Sequence, residues 1–389
     1  MKTKSDRIAN MPDYPFARWG EKVRAARATG IDVIRLDIGN PDLPPPDAVI
    51  ETLCSSARDP SSHGYPGYRG LPALREEIAA YYERRFGVEL DPTTEVVPLL
   101  GSKEGIVHLA LALLDPGDLV LVPDPGYPSY TMGAVIAGAR VHKFPLLPDR
   151  GFLPDLDAIP AEVAREATMI WLNYPNNPTA GTADLEFFTA AVEFARENDL
   201  LLCHDVPYCE VTYDGYTPPS VLQVPGAKEV AVEFNSLSKT YNMAGWRVGM
   251  AVGNRDVLKS LFGVESNVVS GIFLPVQEAA IRALSVPHDW IEARNRIYQE
   301  RRKIALDGLA ALGWDVPASR ATLYLWARIP EGYDSEGFAT KLLNEAGVSV
   351  APGSFFGEGG EGYVRISLTA PDARIAEAMD RLGGLFKQG

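Results

Sequence analysis

The sequence predicts an α/β fold with a largely parallel sheet. Apolar runs of strand length alternate with helical patterns through the middle of the 389-residue chain, and continuous runs of this kind are typical of strands buried on both faces. The chain also exceeds the usual size of a single hydrophobic core, so a second, smaller unit is expected. After about residue 285 the pattern changes to a long charged helix followed by short strands and helices.

The predicted strands of the large unit follow one another along the chain. They are "EVVPLL" (95–100), "DLVLVPDPG" (118–126), "TMIWLN" (168–173), "LLLCHD" (200–205), "EVAVEFNS" (229–236) and "WRVGMAVGN" (246–254). Helical segments such as "LEFFTAAVEFAREN" lie between them, as parallel strands require. The last run is the candidate for an antiparallel member.

Both ends of the chain are predicted to form the smaller unit. The N-terminal "DVIRLDIGNPDLPPP" alternates apolar residues and then reaches a run of prolines, which indicates an edge strand and a linker. The C-terminal part holds "ATLYLWARIP", "VSVAPGSFFG" and "YVRISL" between helices. We predict an N-terminal arm and part of the small domain over 1–45, a large domain over 46–285 and a small C-terminal domain over 286–389.

Composition and charge exclude several classes of protein. The net charge of −14 argues against a nucleic-acid partner, because phosphate backbones are bound by clustered Lys and Arg. Cys54, Cys203 and Cys209 fit no zinc or disulfide spacing, and their odd number indicates reduced thiols in the cytoplasm. The N-terminal residues lack the apolar segment of a signal peptide, and no apolar stretch is long enough to cross a bilayer. We therefore expect a cytoplasmic protein without a membrane, nucleic-acid or metal partner.

Candidate site residues stand where the predicted strands end, which is where ligands bind in open parallel sheets. Ser102 and Lys103 open an apolar helix, and free N–H groups at a helix N-terminus favour a phosphate. The later runs are followed by Tyr127, by Asn173 and Asn177, by Asp205 and Tyr208, and by Ser236, Ser238, Lys239 and Arg247. Each segment alone is most often a helix start, a turn or a solvated side chain; their combination is what indicates a site.

The combination matches the requirements of pyridoxal 5'-phosphate. Its aldehyde needs a lysine amine for a Schiff base, which Lys239 can supply, and its ring nitrogen needs a carboxylate, for which Asp205 is the candidate. Tyr127 is suited to stack on the ring. The other predicted cofactor contacts are Asn177 and Tyr208 at the phenolate oxygen, and Ser102, Lys103, Ser236 and Arg247 at the phosphate. Once substrate displaces it, the Lys239 amine can move a proton between Cα and C4′.

The motifs "SLSKTYNMAGWRVG", "NYPNNPTAG", "HDVPYCEV", "GSKEGI" and "YVRISL" together resemble the class I/II pyridoxal-phosphate aminotransferases of fold type I. The resemblance runs from "DIGNPDLPPP" to "YVRISL". Within the family, the motifs are similar to those of bacterial LL-diaminopimelate or aspartate aminotransferase-like sequences. It implies a mostly parallel seven-stranded sheet in the large domain. It also implies the Schiff-base role of Lys239, the ring-nitrogen role of Asp205 and a homodimer with shared active sites.

The resemblance adds residues for substrate binding. It implies that Arg365 grips the substrate α-carboxylate beside Asn177, that the Gly39 backbone approaches that carboxylate closely, and that Tyr65 reaches the phosphate of the neighbouring subunit. The alternation in "YVRISL" supports Arg365 independently, because Val364, Ile366 and Leu368 share one face of the strand and Arg365 lies on the other. A surface arginine on an edge strand is the alternative interpretation.

The function implied is a ping-pong aminotransferase, in which an L-amino acid gives its nitrogen to the cofactor and a 2-oxo acid such as 2-oxoglutarate accepts it. A pyridoxal-phosphate β-lyase of the same fold remains an alternative. A regulator with an aminotransferase-like domain is disfavoured, because residues 1–36 carry no helix-turn-helix pattern. Val269 and Arg69 stand where related sequences carry acidic residues, in regions the family uses for substrate side chains or the dimer interface. The sequence therefore does not name the amino donor.

Overall fold

The computed structural model describes residues 1–9, 11 and 13–386. Its strands form one seven-stranded and one four-stranded sheet. They are β1 Ile34–Leu36, β2 Val96–Leu99, β3 Leu119–Asp124, β4 Arg140–Pro145, β5 Ala167–Asn173, β6 Leu201–Asp205, β7 Ala231–Ser236, β8 Gly249–Gly253, β9 Tyr324–Arg328, β10 Val348–Pro352 and β11 Tyr363–Ser367.

Helices cover both sheets. They are α1 Asp6–Ala9, α2 Pro15–Ala28, α3 Asp47–Ser56, α4 Pro72–Phe86, α5 Ser102–Leu113, α6 Pro128–Ala137, α7 Ala161–Glu166, α8 Leu185–Glu197, α9 Ala227–Val230, α10 Leu237–Thr240, α11 Arg255–Val268, α12 Leu274–Leu284, α13 His288–Ala311, α14 Ser335–Lys341 and α15 Asp372–Phe386. A π-helical turn, Leu342–Ala346, extends α14. Short 3₁₀ turns lie at Pro60–His63, Pro148–Arg150, Leu156–Ala158, Val221–Gln223, Ala244–Trp246, Gly353–Phe356 and Glu358–Gly360. Within the described part of the chain, no helix combines the length and apolarity that a membrane span requires.

The large sheet has the strand order β2-β8-β7-β6-β5-β3-β4. The four pairings from β7 to β4 are parallel, whereas β8 runs antiparallel to both β7 and β2. The predicted mostly parallel, seven-stranded sheet is confirmed, including its antiparallel member. Antiparallel β8 brings the chain back beside β7 through the short segment that holds Lys239.

The seventh strand, β4, was not among the apolar runs identified in the sequence. It lies at the edge of the sheet beside β3, and only Phe144 among its residues is buried. Arg140, His142 and Lys143 give it a polar character, which suits an exposed edge but removes the hydrophobic signal of a buried strand.

Two layers of helices bury the faces of the large sheet. On one face, α5, α6 and α11 contribute Ile106, Ala134 and Leu258 to an apolar cluster with Trp171 and Phe234 of the sheet. On the other face, side chains of α3, α4, α8 and α12 pack against β5 and β6. The sheet is therefore buried on both faces. The end of the sheet where β5, β6 and β7 stop is open to ligands.

The small domain has its own sheet and core. Its strand order is β1-β10-β11-β9, with β1 parallel to β10 at the edge, as expected for the N-terminal strand. Both chain ends thus enter the small domain. Helix α13 contacts both cores, because Ile291 packs with the large cluster and Tyr298 with the small one. The boundaries at residues 45/46 and 285/286 stay a prediction.

Candidate active site

A cavity of about 440 Å³ opens at the carboxyl ends of β5, β6 and β7, facing β9 and β11 of the small domain. It is lined by Tyr14, Phe16, Ile38, Gly39, Ser102, Lys103, Tyr127, Asn173, Asn177, Asp205, Pro207, Tyr208, Ser236, Ser238, Lys239, Ala244, Arg247, Tyr324 and Arg365. Every site residue predicted from the sequence is in this set except Tyr65. The side chain of Tyr65 is 91% exposed and lies outside the cavity of its own chain.

The sheet itself places the central polar residues. Asn173 ends β5 and Asp205 ends β6, and the two stand side by side in the parallel register. The Asn173 amide donates from Nδ2 to the Asp205 backbone oxygen at 2.7 Å, and its Oδ1 accepts from the Asn177 backbone N–H at 2.8 Å. The turn that carries Asn177 is thereby fixed beside Asp205.

The Asp205 carboxylate is buried with one oxygen unused. Its Oδ2 accepts a hydrogen bond from the Tyr130 hydroxyl at 2.8 Å, whereas its Oδ1 has no hydrogen-bond partner among the described residues. Burial raises the pKa of Asp205 to about 7, although Tyr130 and the nearby His204 act in the opposite direction. Because buried polar atoms are nearly always paired in folded proteins, this free oxygen is suited to accept a hydrogen bond from a ligand.

Lys239 lies in the short helix α10, directly after β7. Ser236 ends the strand and caps this helix, with its Oγ accepting from the Ser238 backbone N–H at 3.2 Å. The Lys239 ammonium donates to the backbone oxygen of Gly39 in the small domain. Burial lowers the pKa of Lys239, and although Tyr324 opposes this effect, the charges of Arg365 and Arg247 add to it. A lysine in this setting gives up its proton more readily and is a better nucleophile.

An anion-binding surface forms where α5 begins. Gly101 has a left-handed backbone (φ 86°), and a Cβ at this position would overlap the Arg247 guanidinium. Arg247 is also left-handed (φ 56°) and donates to the Ala244 backbone oxygen at 2.9 Å. Among the described residues no carboxylate pairs with Arg247, so its charge and the free N–H groups of α5 are available to a phosphate.

Arg365 lies buried on β11, on the side of the strand that faces the cavity. It donates from Nη1 to Asn177 Oδ1 at 2.6 Å and from Nη2 to the Asp37 backbone oxygen at 2.8 Å. Its Nε has no partner among the described residues. The guanidinium carbon lies 4.0 Å from the centroid of the Tyr324 ring and 4.7 Å from that of Phe356. The neighbouring side chains Val364 and Ile366 are buried on the other face, so the predicted alternation is confirmed.

Tyr127 and Lys103 occupy another wall of the cavity. Tyr127 precedes helix α6, and its ring meets that of Tyr130 edge-on at 5.8 Å. The Lys103 ammonium lies 5.8 Å from the Tyr127 ring centroid and 4.5 Å from that of Tyr14. No acidic side chain forms an ion pair with Lys103 in the described part of the chain. Lys103, Arg247 and Arg365 therefore all line the cavity without an acidic partner among the described residues.

The cavity lining also includes residues that the sequence prediction of site residues does not contain: Tyr14, Phe16, Ile38, Asn173, Pro207, Ser238, Ala244 and Tyr324. Tyr130, which donates to Asp205, is absent from it as well. Asn173 was noted at a strand end but given no role. Tyr130 lies three residues after Tyr127, so both project from the same side of the start of α6, which is the signal that could have identified it. Tyr324 lies diagonally across the β9–β11 ladder from Arg365. Arg365 pairs with Trp326, and Tyr324, two residues before Trp326 and on the same face of β9, pairs with Ser367. That pairing was not available from the sequence.

The two positions that depart from related sequences lie outside the cavity lining. The Arg69 guanidinium stacks on the Phe262 ring at 4.5 Å and donates to the Thr93 backbone oxygen at 2.8 Å. Val269 lies beside Tyr68 and Leu100 in a separate small depression. Neither side chain contributes to the walls of the cavity within a single chain.

Comparisons with known proteins agree with this geometry. Residues 31–382 match the family described as aminotransferase class I and II. The LL-diaminopimelate aminotransferase of Moorella thermoacetica is 52% identical over 97% of this chain and 96% of its own length. Among solved structures, BacF from Bacillus subtilis superposes with a TM-score of 0.96 at 39% identity, covering 99% of both chains. A probable N-succinyldiaminopimelate aminotransferase from Thermus thermophilus gives a TM-score of 0.89 at 42% identity, covering 94% of this chain and 98% of that one. The chain therefore belongs to the class I and II aminotransferases, enzymes of fold type I that depend on pyridoxal phosphate.

Proposed function

We propose that this aminotransferase takes the amino group from LL-diaminopimelate and passes it to 2-oxoglutarate in a ping-pong cycle. The observation that carries the proposal is that Lys103 lines the same cavity as Arg365 and, like Arg365, has no acidic partner among the described residues. The sequence predicts Lys103 at the phosphate, as it does Arg247; here Lys103 is proposed for the distal carboxylate instead. Diaminopimelate has a carboxylate at each end, so it can occupy both cations at once. The 52% identity to a relative named for this substrate supports the same choice.

Pyridoxal phosphate is the cofactor that the family implies, and the residues present fit it. The free Oδ1 of Asp205 is an acceptor for a protonated ring nitrogen, and the start of α5 with Arg247 forms a cradle for a phosphate. Tyr127 is placed to cover a ring, and Asn177 and Tyr208 can donate to a ring oxygen. The bound cofactor supplies an aldehyde for covalent attachment and an electron-withdrawing ring.

The chain's own residues have separate roles in binding and proton transfer. Lys239 would anchor the cofactor and, when substrate displaces it, its amine would remove the proton from the α-carbon of the amino donor and, in the second half of the cycle, deliver a proton to the α-carbon derived from the 2-oxo acid. Arg365 binds the α-carboxylate through its planar fork, with Gly39 close beside it. Asp205 keeps a negative charge at the far side of the cofactor ring. Ser102, Ser236 and Arg247 hold the phosphate.

A homodimer with shared active sites is part of the proposal. Tyr65 and Tyr68 are 91% and 62% exposed, and Val268 and Phe273 are exposed on the segment that packs against the same loop. Apolar side chains grouped in this way favour burial against another subunit. Tyr65 would then serve the phosphate site of that subunit. We propose a cytoplasmic location for this enzyme, since Cys54, Cys203 and Cys209 are all unpaired.

The substrate can be tested in the first half-reaction alone. Purified protein loaded with pyridoxal phosphate should lose its visible absorbance rapidly with LL-diaminopimelate and at least about 10-fold more slowly with L-lysine. Lysine is a matched control, because it differs from diaminopimelate only by lacking the distal carboxylate. Equal rates with both, or faster conversion of aspartate, alanine, glutamate or an aromatic amino acid, would contradict the proposed donor. Release of ammonia instead of a stable amino form of the cofactor would indicate a lyase.

Lys103→Met is the matching variant for the distal carboxylate. It should abolish the preference for LL-diaminopimelate over L-lysine and leave cofactor affinity unchanged. If cofactor affinity falls and the preference persists, Lys103 serves the phosphate, as its place in the "GSKEG" motif predicts.

Arg365→Ala is expected to raise the KM for the amino donor by about 30-fold or more, because a buried charge pair costs about 2–5 kcal/mol when one partner is removed. Arg365→Lys should recover only part of this loss, since an ammonium cannot reproduce the two-point contact. The amplitude and the concentration dependence of the half-reaction measure the effect. An unchanged concentration dependence in Arg365→Ala would assign the α-carboxylate to another residue.

A further inference from the structure

Tyr324 stands at the meeting point of three functional groups. It begins β9, its side chain is 3% exposed, and its hydroxyl lies 3.0 Å from the hydroxyl of Tyr208. The Arg365 guanidinium sits over its ring at 4.0 Å. A Cβ at residue 39 would overlap the Tyr324 hydroxyl, so Gly39 leaves the space that this hydroxyl fills. The backbone oxygen of the same glycine accepts from Lys239.

Each of the two tyrosine hydroxyls carries one hydrogen that it can donate. Each can donate once and accept from other groups. Among the described residues, neither hydroxyl has a hydrogen-bond partner other than its neighbour. If Tyr208 donates to Tyr324, the Tyr208 hydrogen is used up. If Tyr324 donates to Tyr208, the Tyr208 hydrogen is free to point at an acceptor in the cavity.

The proposed role of Tyr208 decides between these two arrangements. Tyr208 has one hydrogen, and donating that hydrogen to the ring oxygen of the cofactor leaves its hydroxyl able only to accept from Tyr324, 3.0 Å away. Tyr324 is therefore the donor of the pair. Burial by itself would raise the pKa of Tyr324, but the positive charges of Arg365 and Lys239, together with the contact to Tyr208, lower it, so its hydroxyl is suited to donate.

We propose that Tyr324 is a positioning residue, which donates to Tyr208 and so directs the Tyr208 hydrogen toward the ring oxygen of the bound cofactor. The inference rests on the proposed function, since it concerns the same cofactor site. Tyr324 holds Tyr208 in the donating orientation. The Tyr324 ring packs against the Arg365 guanidinium, and this contact fixes the position of the Tyr324 hydroxyl.

Tyr324→Phe tests the proposal and keeps the ring under Arg365. The protein should still bind pyridoxal phosphate and become coloured. The pH midpoint of its visible absorbance should rise by about 0.5–1 pH unit, the shift that corresponds to one neutral hydrogen bond lost from an anionic oxygen. Tyr298→Phe is the matched control, because Tyr298 is also buried, also carries an arginine near its ring, and has a hydroxyl without a partner among the described residues. Its midpoint should equal that of the unaltered protein.

Two further measurements separate positioning from a packing effect. In the double variant Tyr208→Phe/Tyr324→Phe, the midpoint should match that of Tyr208→Phe alone, because Tyr324 acts only through Tyr208. Placing 3-fluorotyrosine at position 324 makes the donor more acidic and should lower the midpoint, and this replacement also covers the case in which Tyr324→Phe does not fold. A coloured Tyr324→Phe protein with an unchanged midpoint, or additive shifts in the double variant, would overturn the inference. A protein that stays colourless in every form, including the unaltered chain, would instead refute the proposed function.

Discussion

Replacing Lys239 by alanine is expected to abolish amino transfer, with a loss of at least about 10⁴-fold in turnover. The substitution removes both the covalent anchor of the cofactor and the amine that moves the substrate proton. Without that amine, the visible absorbance of the lysine-linked cofactor should be absent when pyridoxal phosphate is added to the purified protein. Absorbance spectra and steady-state rates at several amino-acid concentrations measure the two effects.

Lys239→Arg is the matched control for this substitution. It keeps a long cationic side chain near Gly39 but cannot form the covalent link, and its charge is not released near neutral pH. Its turnover should therefore be as low as that of Lys239→Ala. Borohydride reduction of the unaltered, cofactor-loaded protein should attach the cofactor at residue 239. Attachment elsewhere, or substantial turnover in either variant, would remove Lys239 from its assigned role.

Replacing Asp205 by alanine should leave some cofactor bound and reduce the rate by about 10²–10⁴-fold. The carboxylate is the only group proposed to hold the ring nitrogen in its protonated form, and this protonated ring withdraws electrons from the substrate carbon. Asp205→Asn is the sharper variant, because it keeps the shape and the hydrogen bond with Tyr130 but removes the charge. Its single-turnover rate should fall nearly as far as that of Asp205→Ala.

The pH dependence of cofactor binding gives a second test of the role of Asp205. In the protein without cofactor, burial raises the pKa of this carboxyl to about 7, so it is increasingly neutral below pH 7 and increasingly ionised above. Pairing with a protonated ring nitrogen requires the ionised form, so cofactor affinity should decline as the pH falls through 7. This dependence should be lost in Asp205→Asn. Normal single-turnover kinetics in that variant would exclude Asp205 as the partner of the ring nitrogen.

Local sequence signals identified most of the strands of the large sheet and the polar residues at their carboxyl ends, whereas Gly39 and Arg365 were named through the family resemblance. Strands β5 and β6 are buried on both faces, so their sequences are continuous apolar runs, and Asn173 and Asp205 stand at their ends. The general rule that ligands bind beyond the carboxyl ends of parallel strands then placed these residues together. Strand β4 was not predicted from the sequence, because an edge strand exposed to solvent does not require a continuous apolar run.

Pairs of residues far apart in the chain were beyond the reach of local signals. Tyr324 and Tyr208 are separated by 116 positions, and nothing in either segment indicates that their hydroxyls meet. The contact of Lys239 with Gly39 spans 200 positions and joins the two domains. Such pairings depend on how one sheet packs against the other, which no local periodicity encodes.

The sequence by itself determined which chemical groups this protein carries: a lysine after a buried strand, a carboxylate at the end of another, and a helix start suited to phosphate. Only the tertiary structure decided their electrostatic state. Burial leaves Asp205 with a raised pKa and one unused oxygen, and it places Tyr324 between Arg365 and Tyr208. The physical reason is that desolvation and charge–charge interactions depend on distances in space, whereas the sequence specifies only order along the chain.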